Sequence, residues 1–220
     1  MNATSPDTDT LSASILAAPT QASAPSNGYL DENNQVKRAL DIVGAIAGMI
    51  LAAPLIAAFG FLIYRESPGN IIYKQTRVGR DGKLFTIFKL RSMKLDSETS
   101  GVGWTVENDP RCLRVGKLIR AWNIDEVPQF WNVLKGDMSL VGPRPERPEH
   151  IERLSEEIQG WDKRLAVKPG LTGWAQVNGW RGDPSLQERI RHDVDYIRRG
   201  NFWFDIVIMA KTLINRENAY

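Results

Sequence analysis

The sequence has 220 residues, enough for one sizeable hydrophobic core without disulfide bridges. Charged residues make up 25% and apolar residues 42%, close to ordinary globular usage, so wholesale disorder is excluded. The net charge of +2 argues against a nucleic-acid-binding protein, which is usually far more basic. The single cysteine, Cys112, excludes a disulfide scaffold and a cysteine-rich zinc module and fits a reducing compartment.

The N-terminal 36 residues differ in composition from the rest of the chain. They contain no Lys or Arg and are rich in Ser, Thr, Ala, Pro and Asn. Because such a segment buries little apolar surface, residues 1–36 are predicted to form a disordered tail. A weak apolar stretch at 11–18 has no basic residues before it, which argues against a cleaved signal peptide.

A long uncharged segment follows the basic pair Lys37 and Arg38. Residues 42–64 carry no charged side chain, and these 23 residues would span about 34 Å as a helix, against about 30 Å for a bilayer core. A buried core helix is the alternative, but such helices seldom run this long without a polar face. Residues 37–65 are therefore predicted to form a membrane-inserted helix.

Pro54 lies in the middle of this segment and removes the hydrogen bond to the Ile50 carbonyl, which predicts a kink. Two topologies remain open, because the helix either crosses the bilayer or bends and returns to the same face. Basic residues flank both ends, with Lys37 and Arg38 before the segment and Arg65 after it. This pattern fits two ends on one cytoplasmic face better than a crossing.

The remaining residues, 66–220, are predicted to form a mostly helical α/β cytoplasmic domain. Strands are predicted at 71–74 and at 83–91, where apolar residues alternate in part, with a hairpin turn at 79–82 between them. Residues 97–110 are predicted to form a polar loop and residues 168–173 a turn. Helical patterns cover four further segments: 113–122, 128–134, 186–199 and 202–214.

Three tryptophans, Trp122, Trp131 and Trp203, lie in predicted helices that also carry Lys or Arg. Tryptophan with basic residues on an amphipathic helix is typical of a lipid headgroup interface. Ordinary core packing is the alternative for each tryptophan taken alone. Beside an inserted helix, interfacial amphipathic helices are the favoured interpretation.

Several catalytic signatures are absent, among them the Walker phosphate-binding loop, the dinucleotide fingerprint and the His-Glu-x-x-His zinc motif. Asp193 and Asp195 have the spacing of the acidic pair in many metal-dependent glycosyltransferases, which would release UDP. Residues two apart on a helix do not share a face, however. A solvated helix surface is therefore the preferred interpretation of this pair.

The acidic doublet Asp125-Glu126 is one of three in the chain, about the number that composition alone produces, so only its setting is informative. Two carboxylates can hold Mg²⁺, and a carboxylate can attack phosphorus. Prolines on both sides of Arg144 hold its backbone, which suits phosphate recognition. The basic residues predicted to surround the doublet are Arg120, Arg144 and, from one side of the second strand, Lys89 and Arg91. Together they indicate a membrane-anchored enzyme acting on a phosphorylated substrate.

Six segments give this interpretation a specific form. They are KRALD at 37–41, FKLRSM at 88–93, NDPR at 108–111, IDEVPQ at 124–129, NVLKGDMSLVGPRP at 132–145 and KPGLTGWAQVN at 168–178. In content and order they resemble the bacterial sugar transferase family, the monotopic polyprenyl-phosphate phosphoglycosyl transferases. The resemblance runs from about residue 37 to the C-terminus.

The resemblance implies transfer of a sugar 1-phosphate from a nucleoside diphosphate sugar to undecaprenyl phosphate, with release of UMP. Asp125 is implied to attack the phosphorus and form a covalent phosphosugar intermediate. Glu126 would assist through Mg²⁺, which both carboxylates would hold, or through proton transfer. Lys168 replaces an arginine of a family member and loses bidentate binding. The positions implied to bind substrate phosphates are Lys89, Arg91, Arg120, Arg144 and Lys168.

The resemblance also bears on substrate, location and partners. Residues 178–183, NGWRGD, resemble the version in glucose-1-phosphate and galactose-1-phosphate transferases of exopolysaccharide pathways, so UDP-glucose is expected and UDP-galactose is the alternative. The helix is implied to be re-entrant with its break at Pro54, at the inner membrane, with the catalytic domain facing the cytoplasm. The lipid bilayer is an expected partner, while downstream glycosyltransferases and a homodimer are left open. A catalytically silent membrane scaffold with the same fold remains an alternative.

Overall fold

A 32-residue helix, α1 (Gln35–Glu66), leads into a domain of short strands and helices. The structure is a computed structural model that describes residues 28–95, 97, 109–158, 160–180 and 186–214, with residues 152 and 153 described by their backbone alone. Most of the predicted loop at 97–110, most of the predicted tail and residues 181–183 of the NGWRGD segment lie outside these ranges. The coarse prediction of a mostly helical α/β chain with one long apolar N-terminal helix is confirmed.

Within the described ranges, α1 is the helix that is long and apolar enough to cross a membrane, with a mean hydropathy of 2.4 over its most apolar stretch. The Asn34 side chain caps its start by accepting a hydrogen bond from the Lys37 amide at 2.9 Å. The helix continues through Pro54, so the bend expected there stays a prediction. Large apolar side chains are exposed along it, including Ile50, Leu51 and Phe61.

Both halves of α1 contact the domain. In the N-terminal half, a side chain on Gly44 or Gly48 would overlap Leu140 or the ring of Phe130, so glycine permits the close approach. At the other end, Ile63 is fully buried in a cluster with apolar residues of the domain. The helix therefore packs against the domain near both of its ends, while much of its apolar surface stays exposed.

The residues before α1 correct the predicted tail boundary. Tyr29 and Leu30 are buried, and the Tyr29 hydroxyl donates to Asp205 Oδ2 at 2.9 Å. The boundary at residue 36 is therefore too late, because two apolar side chains give this polar stretch a place in the core. What the sequence predicts for residues 1–27 stays a prediction.

Strands β1 (Ile72–Val78) and β2 (Leu84–Leu90) form the predicted antiparallel hairpin. A short 3₁₀ turn, Arg80–Gly82, joins them, with Asp81 at a φ of 53°. The first strand ends four residues later than predicted, at Val78, because backbone pairing with β2 continues through its polar residues. The hairpin is what presents Lys89 to the rest of the domain.

A second pair of strands was not predicted. Strands β3 (Ser139–Val141) and β4 (Gly170–Thr172) pair in parallel. The prediction of a turn at 168–173 is wrong for Gly170–Thr172, because glycine here permits close backbone approach rather than a reversal. A side chain on Gly170 would overlap the amide nitrogen of Gly142.

The domain's helices are short until the C-terminus. The 3₁₀ segment Ile124–Gln129 includes Pro128, which was expected in the first turn of an α-helix. The predicted bounds of the last two helices are confirmed, whereas the helices Pro148–Glu157 and Trp174–Val177 were not predicted. The helices are α2 (Arg114–Ala121), α3 (Phe130–Lys135), α4 (Pro148–Glu157), α5 (Trp174–Val177), α6 (Leu186–Arg199) and α7 (Phe202–Ile214), with a further 3₁₀ segment at Trp161–Ala166.

Candidate active site

Glu126 lies between two cationic side chains from different parts of the chain. Lys89 of β2 places Nζ 2.7 Å from Glu126 Oε1. Arg144, from the loop after β3, places Nη2 2.7 Å from the same oxygen and Nη1 3.2 Å from Oε2. The structure thus brings together Glu126, Lys89 and Arg144, although Lys89 and Arg144 lie 37 and 18 positions from Glu126 in the sequence.

The backbone just before the acidic doublet determines where the two carboxylates lie. Asn123 adopts a left-handed conformation with a φ of 53°, which asparagine tolerates better than most residues. The Glu126 amide then bonds to the Asn123 carbonyl at 3.2 Å, and the 3₁₀ segment begins. Asp125 and Glu126 therefore both lie in its first turn.

The two carboxylates differ in their hydrogen bonding. Lys89 and Arg144 donate three hydrogen bonds to Glu126. Within the described ranges, no hydrogen bond or ion pair reaches the Asp125 carboxylate, although the residue is buried. Glu126 therefore holds the two cations, while Asp125 remains available to a substrate or a cation.

The carboxylates also differ in acidity. Burial raises the pKa of Asp125 to about 6, and the negative charge of Glu126 adds to this rise, while Lys89, Arg120 and Arg144 oppose it. Burial would also raise the pKa of Glu126, but the charges and hydrogen bonds of Arg144 and Lys89 outweigh it and hold that pKa well below its ordinary value. Two adjacent carboxyl groups with separated pKa values are typical of a reactive site.

Arg120 lies in the last turn of α2, close enough for its charge to lower the pKa of Asp125. Its guanidinium group has no hydrogen-bond partner among the described side chains and backbone groups. The neighbouring Ile119 is fully buried against Ile63 of α1 and Leu90 of β2, which holds α2 in place. Arg120 is thus a cation with free hydrogen-bond donors near the doublet, on a helix that is held in place by packing.

The structure does not bring Arg91 and Lys168 to Glu126. Arg91 is buried and donates to the Ser67 carbonyl after α1, and burial lowers its pKa. Lys168 lines a cavity with Lys37 and Arg38, and its pKa is lowered by burial and then by the charge of Arg38. A phosphate-binding role for either residue stays a prediction.

The doublet fits Mg²⁺ bound through few protein oxygens. Mg²⁺ in phosphate-transferring sites usually takes one or two carboxylates and completes its shell with substrate phosphates and water. Asp125 offers an unpaired carboxylate, whereas Glu126 is already bound by two cations. Among the side chains that the structure describes, no group of three or more His, Cys, Asp or Glu residues could hold a metal ion without the substrate.

Asp193 and Asp195 have different surroundings. Asp193 is buried and its Oδ2 lies 2.8 Å from Arg164 Nη2, so the expectation of a solvated surface is wrong for this residue. The helical spacing was interpreted correctly, but a buried arginine on another element supplies the partner. Asp195 is partly exposed and pairs with Arg199 at 3.0 Å. The two carboxylates do not form a joint cation site.

Sequence reasoning missed Arg164 and Arg77, which bind the loop that carries Arg144. Arg164 Nη2 donates to the Arg144 carbonyl at 2.8 Å, and Arg77 Nη1 donates to the Pro145 carbonyl at 3.1 Å. Single arginines in mixed sequence carry no signal of such contacts. The prolines around Arg144 were the available sign that this backbone is held.

The three tryptophans that were predicted to lie at a lipid interface are all exposed in the structure. Trp122, Trp131 and Trp203 are 58%, 52% and 73% exposed. Burial in the core of the domain is therefore excluded for them. Contact with lipid headgroups stays a prediction that this exposure favours.

Comparison with known proteins places the chain in a family. A family model described as bacterial sugar transferase matches residues 32–216, so the chain belongs to this family. Over 185 residues the chain is 43% identical to the UDP-glucose:undecaprenyl-phosphate glucose-1-phosphate transferase of Escherichia coli (strain K12), covering 82% of this chain and 40% of that protein.

Two further relatives show the range of named activities. The UDP-N-acetylgalactosamine-undecaprenyl-phosphate N-acetylgalactosaminephosphotransferase of Aeromonas hydrophila is 44% identical over 180 residues, covering 81% of this chain and 43% of that protein. A UDP-glucose:undecaprenyl-phosphate glucose-1-phosphate transferase of Caulobacter vibrioides (strain ATCC 19089 / CIP 103742 / CB 15) is 42% identical over 191 residues, covering 84% and 72%. The chain thus spans less than half the length of the first two of these three relatives.

Proposed function

We propose that this chain transfers a sugar 1-phosphate from a UDP-sugar to undecaprenyl phosphate and releases UMP, with UDP-glucose as the donor. The observation that carries the proposal is the unpaired, buried Asp125 carboxylate beside Glu126, which Lys89 and Arg144 hold. Relatives named for the same reaction class support it, and most of those named for a sugar are named for glucose. UDP-galactose is the alternative donor. The product would be the first membrane-bound intermediate of an exopolysaccharide.

Asp125 is the nucleophile in this proposal. Its ionised carboxylate oxygen attacks the phosphorus that carries the sugar, a bond to that phosphorus forms, and the bond to the bridging oxygen breaks with its electron pair leaving on UMP. An oxygen of undecaprenyl phosphate then attacks the same phosphorus and displaces Asp125. With a pKa of about 6, Asp125 is mostly ionised at neutral pH and still close to the proton-exchange range.

The cations neutralise the diphosphate. Arg120 has free donors for phosphate oxygens, while Lys89 and Arg144 share their charge between Glu126 and the substrate. Asp125, with Glu126 beside it, would hold Mg²⁺, which supplies further neutralisation of the charge that develops on the leaving phosphate. Phosphoryl transfer needs chiefly such positioning and charge stabilisation.

The membrane arrangement that we propose is re-entrant, at the inner membrane with the domain in the cytoplasm. Lys37 in the first turn of α1 pairs with Asp205 of the domain at 2.7 Å. Glu66, the last residue of α1, accepts hydrogen bonds from the amides of Arg114 and Val115 at 2.6 and 2.9 Å. A crossing helix would put these two polar contacts on opposite faces of the bilayer and force the charged domain into its core.

The topology is tested by placing a cysteine in the tail, Ser5→Cys, in a Cys112→Ser background. An impermeant maleimide added to intact cells should leave this cysteine unlabelled, and permeabilised cells should show labelling. Labelling from the periplasm would overturn the re-entrant arrangement.

The reaction is tested with protein purified in detergent, Mg²⁺, undecaprenyl phosphate and one UDP-sugar at a time. UMP should appear with UDP-glucose and should be lost in Asp125→Asn. The matched control is Asp81→Asn, which changes an exposed turn residue and should keep full activity. UMP with another sugar would correct the donor. Folded protein that releases no UMP with any sugar would favour the silent scaffold, and release of UDP would favour a glycosyltransferase.

A further inference from the structure

The loop that carries Arg144 is bound along its backbone by several elements. Four consecutive carbonyl groups, of residues 143–146, each accept a hydrogen bond. The Pro143 carbonyl accepts from the Gly170 amide at 2.8 Å, and the Glu146 carbonyl accepts from the Val78 amide at 2.9 Å. The two carbonyls between them accept from the side chains of Arg164 and Arg77. Such a loop has little freedom to move its side chains.

Arg164 makes the contact at Arg144 itself. Its Nη2 donates to the Arg144 carbonyl at 2.8 Å and lies 2.8 Å from Asp193 Oδ2. Its Nη1 donates to Glu146 Oε1 at 3.2 Å. The side chain is 2% exposed, so one rigid guanidinium plane joins α6, the loop and the 3₁₀ segment at 161–166.

The charges around Arg164 are balanced inside the domain. Asp193 and Glu146 are buried with it, and Arg189 also donates to Glu146. A buried ion cluster does not by itself indicate a gain in folding stability, because apolar side chains of similar volume often stabilise a fold equally well or better. What apolar side chains do not supply is a directed hydrogen bond to one chosen carbonyl.

The guanidinium group of Arg144 has to be placed accurately. Its guanidinium group grips Glu126 with two nitrogens while it faces the proposed phosphate site, so a small shift of its backbone would misalign both contacts. We propose that Arg164, oriented by Asp193, is a positioning residue that fixes the backbone of Arg144 for phosphate binding. This inference rests on the proposed function, and it gives Asp193 a role that does not involve a metal.

The test compares Asp193→Asn with Asp195→Asn, the matched change on the exposed face of the same helix. Asp193→Asn should lower kcat/KM for UDP-glucose about tenfold or more, and Asp195→Asn should leave it unchanged. Arg164→Lys keeps the charge but loses the planar fork whose two separated nitrogens reach Glu146 on one side and Arg144 and Asp193 on the other, so it should behave as Asp193→Asn does. The melting temperature is measured for each variant.

A double-mutant cycle separates positioning from general stability. In an Arg144→Lys background, a lysine cannot make the bidentate contact that Arg164 is proposed to align. There Asp193→Asn should lower kcat/KM by less than about twofold. Its effect on the melting temperature should be the same in both backgrounds. Where turnover is too slow to detect, the same double-mutant cycle is measured through the affinity for UDP-glucose by calorimetry. If Arg164→Lys does not fold, Asp193→Asn alone tests the positioning role.

The outcomes are distinguishable. Equal losses in both backgrounds would overturn the positioning role while wild-type UMP release still upheld the proposed function. Loss of activity in Asp195→Asn as well would favour a joint acidic site and also overturn it. Wild-type protein that releases no UMP would remove the proposed function and this inference together.

Discussion

Arg144 binds Glu126 through both terminal nitrogens of its guanidinium group, with Nη2 2.7 Å from Oε1 and Nη1 3.2 Å from Oε2. This bidentate pair keeps Glu126 ionised and leaves the neighbouring Asp125 as the carboxyl group that titrates near neutral pH. The division of roles within the doublet leads to predictions about rate, pH and stability.

The first prediction concerns the pH dependence of the first half-reaction. Because Asp125 must be ionised to attack phosphorus, the UMP burst rate should rise with pH through about 6 and then level off. The burst is measured with UDP-glucose alone, since undecaprenyl phosphate would add a titration of its own. A burst rate that is flat between pH 5 and 8 would contradict the assignment.

Glu126→Gln should move this acid limb to lower pH. The change removes a negative charge that raises the pKa of Asp125, and it frees Lys89 and Arg144, whose charges lower that pKa. The overall rate should also fall, because the two cations lose their common partner. The pH profile of the burst is the measurement, and Glu149→Gln, at an exposed position, should leave the profile in place.

Lys89→Met should move the acid limb in the opposite direction. Lys89 is the largest of the charges that lower the pKa of Asp125, so its loss should raise that pKa further. Lys83→Met changes an exposed lysine just before the same strand and is the matched control. A shift of the same sign in Lys89→Met and Glu126→Gln would show that general disruption, not charge, moves the profile.

Asp125→Asn should abolish UMP release and stabilise the fold at neutral pH. The pKa of Asp125 is higher in the folded state, about 6, than the ordinary value of 3.8 for this side chain, so the folded state binds the proton more tightly. Stability is therefore lost as pH rises between these values, by at most about 3 kcal/mol. The melting temperature of Asp125→Asn should exceed that of the wild type at pH 7.5, and the difference should vanish below about pH 4.

Gly116→Ala tests whether the close packing of α2 positions Arg120. A side chain on Gly116 would overlap the backbone carbonyl oxygen of Ser92, which also accepts a hydrogen bond from the Leu113 amide at 3.0 Å. The variant should lose about 1 to 3 kcal/mol of unfolding free energy by overpacking. Displacement of Arg120 should lower UMP release by up to about a hundredfold.

The control for this change is Gly60→Ala. There the added carbon meets only the Cδ1 atom of Ile71, at 3.1 Å, and a flexible side-chain end can yield. Activity and melting temperature should stay close to those of the wild type. Full activity in Gly116→Ala would show that α2 does not need this close contact.

Residue types predicted much of the site. Adjacent carboxylates, a strand lysine and a proline-flanked arginine indicated a phosphate-handling cluster, and the structure brings Asp125, Glu126, Lys89 and Arg144 together. Alternation along β2 put Arg91 on the same side as Lys89, but alternation does not tell which neighbour a long side chain reaches. Arg91 instead donates a hydrogen bond to the Ser67 carbonyl at the end of α1.

Long-range pairing explains what could not be predicted. The short parallel pair β3 and β4 has no periodic pattern of its own, and its glycines look like those of a turn. The burial of Asp193 depends on Arg164, 29 positions earlier in the chain, and helical spacing contains no information about that partner. Local patterns therefore predicted most of the longer helices and the candidate site residues, while contacts between distant segments decided how these are oriented.

The last residue of α1 links this helix to the candidate active site. Glu66 caps the start of α2, whose last turn carries Arg120, and Ile63 lies in the same apolar cluster as Leu90, next to Lys89. The hydrophobic helix therefore packs against the elements that carry Arg120 and Lys89 of the candidate site, and it is not a separate membrane anchor. A fragment that starts after residue 66 would expose this apolar cluster and lose the cap, so we expect no water-soluble form of the domain to keep the site intact.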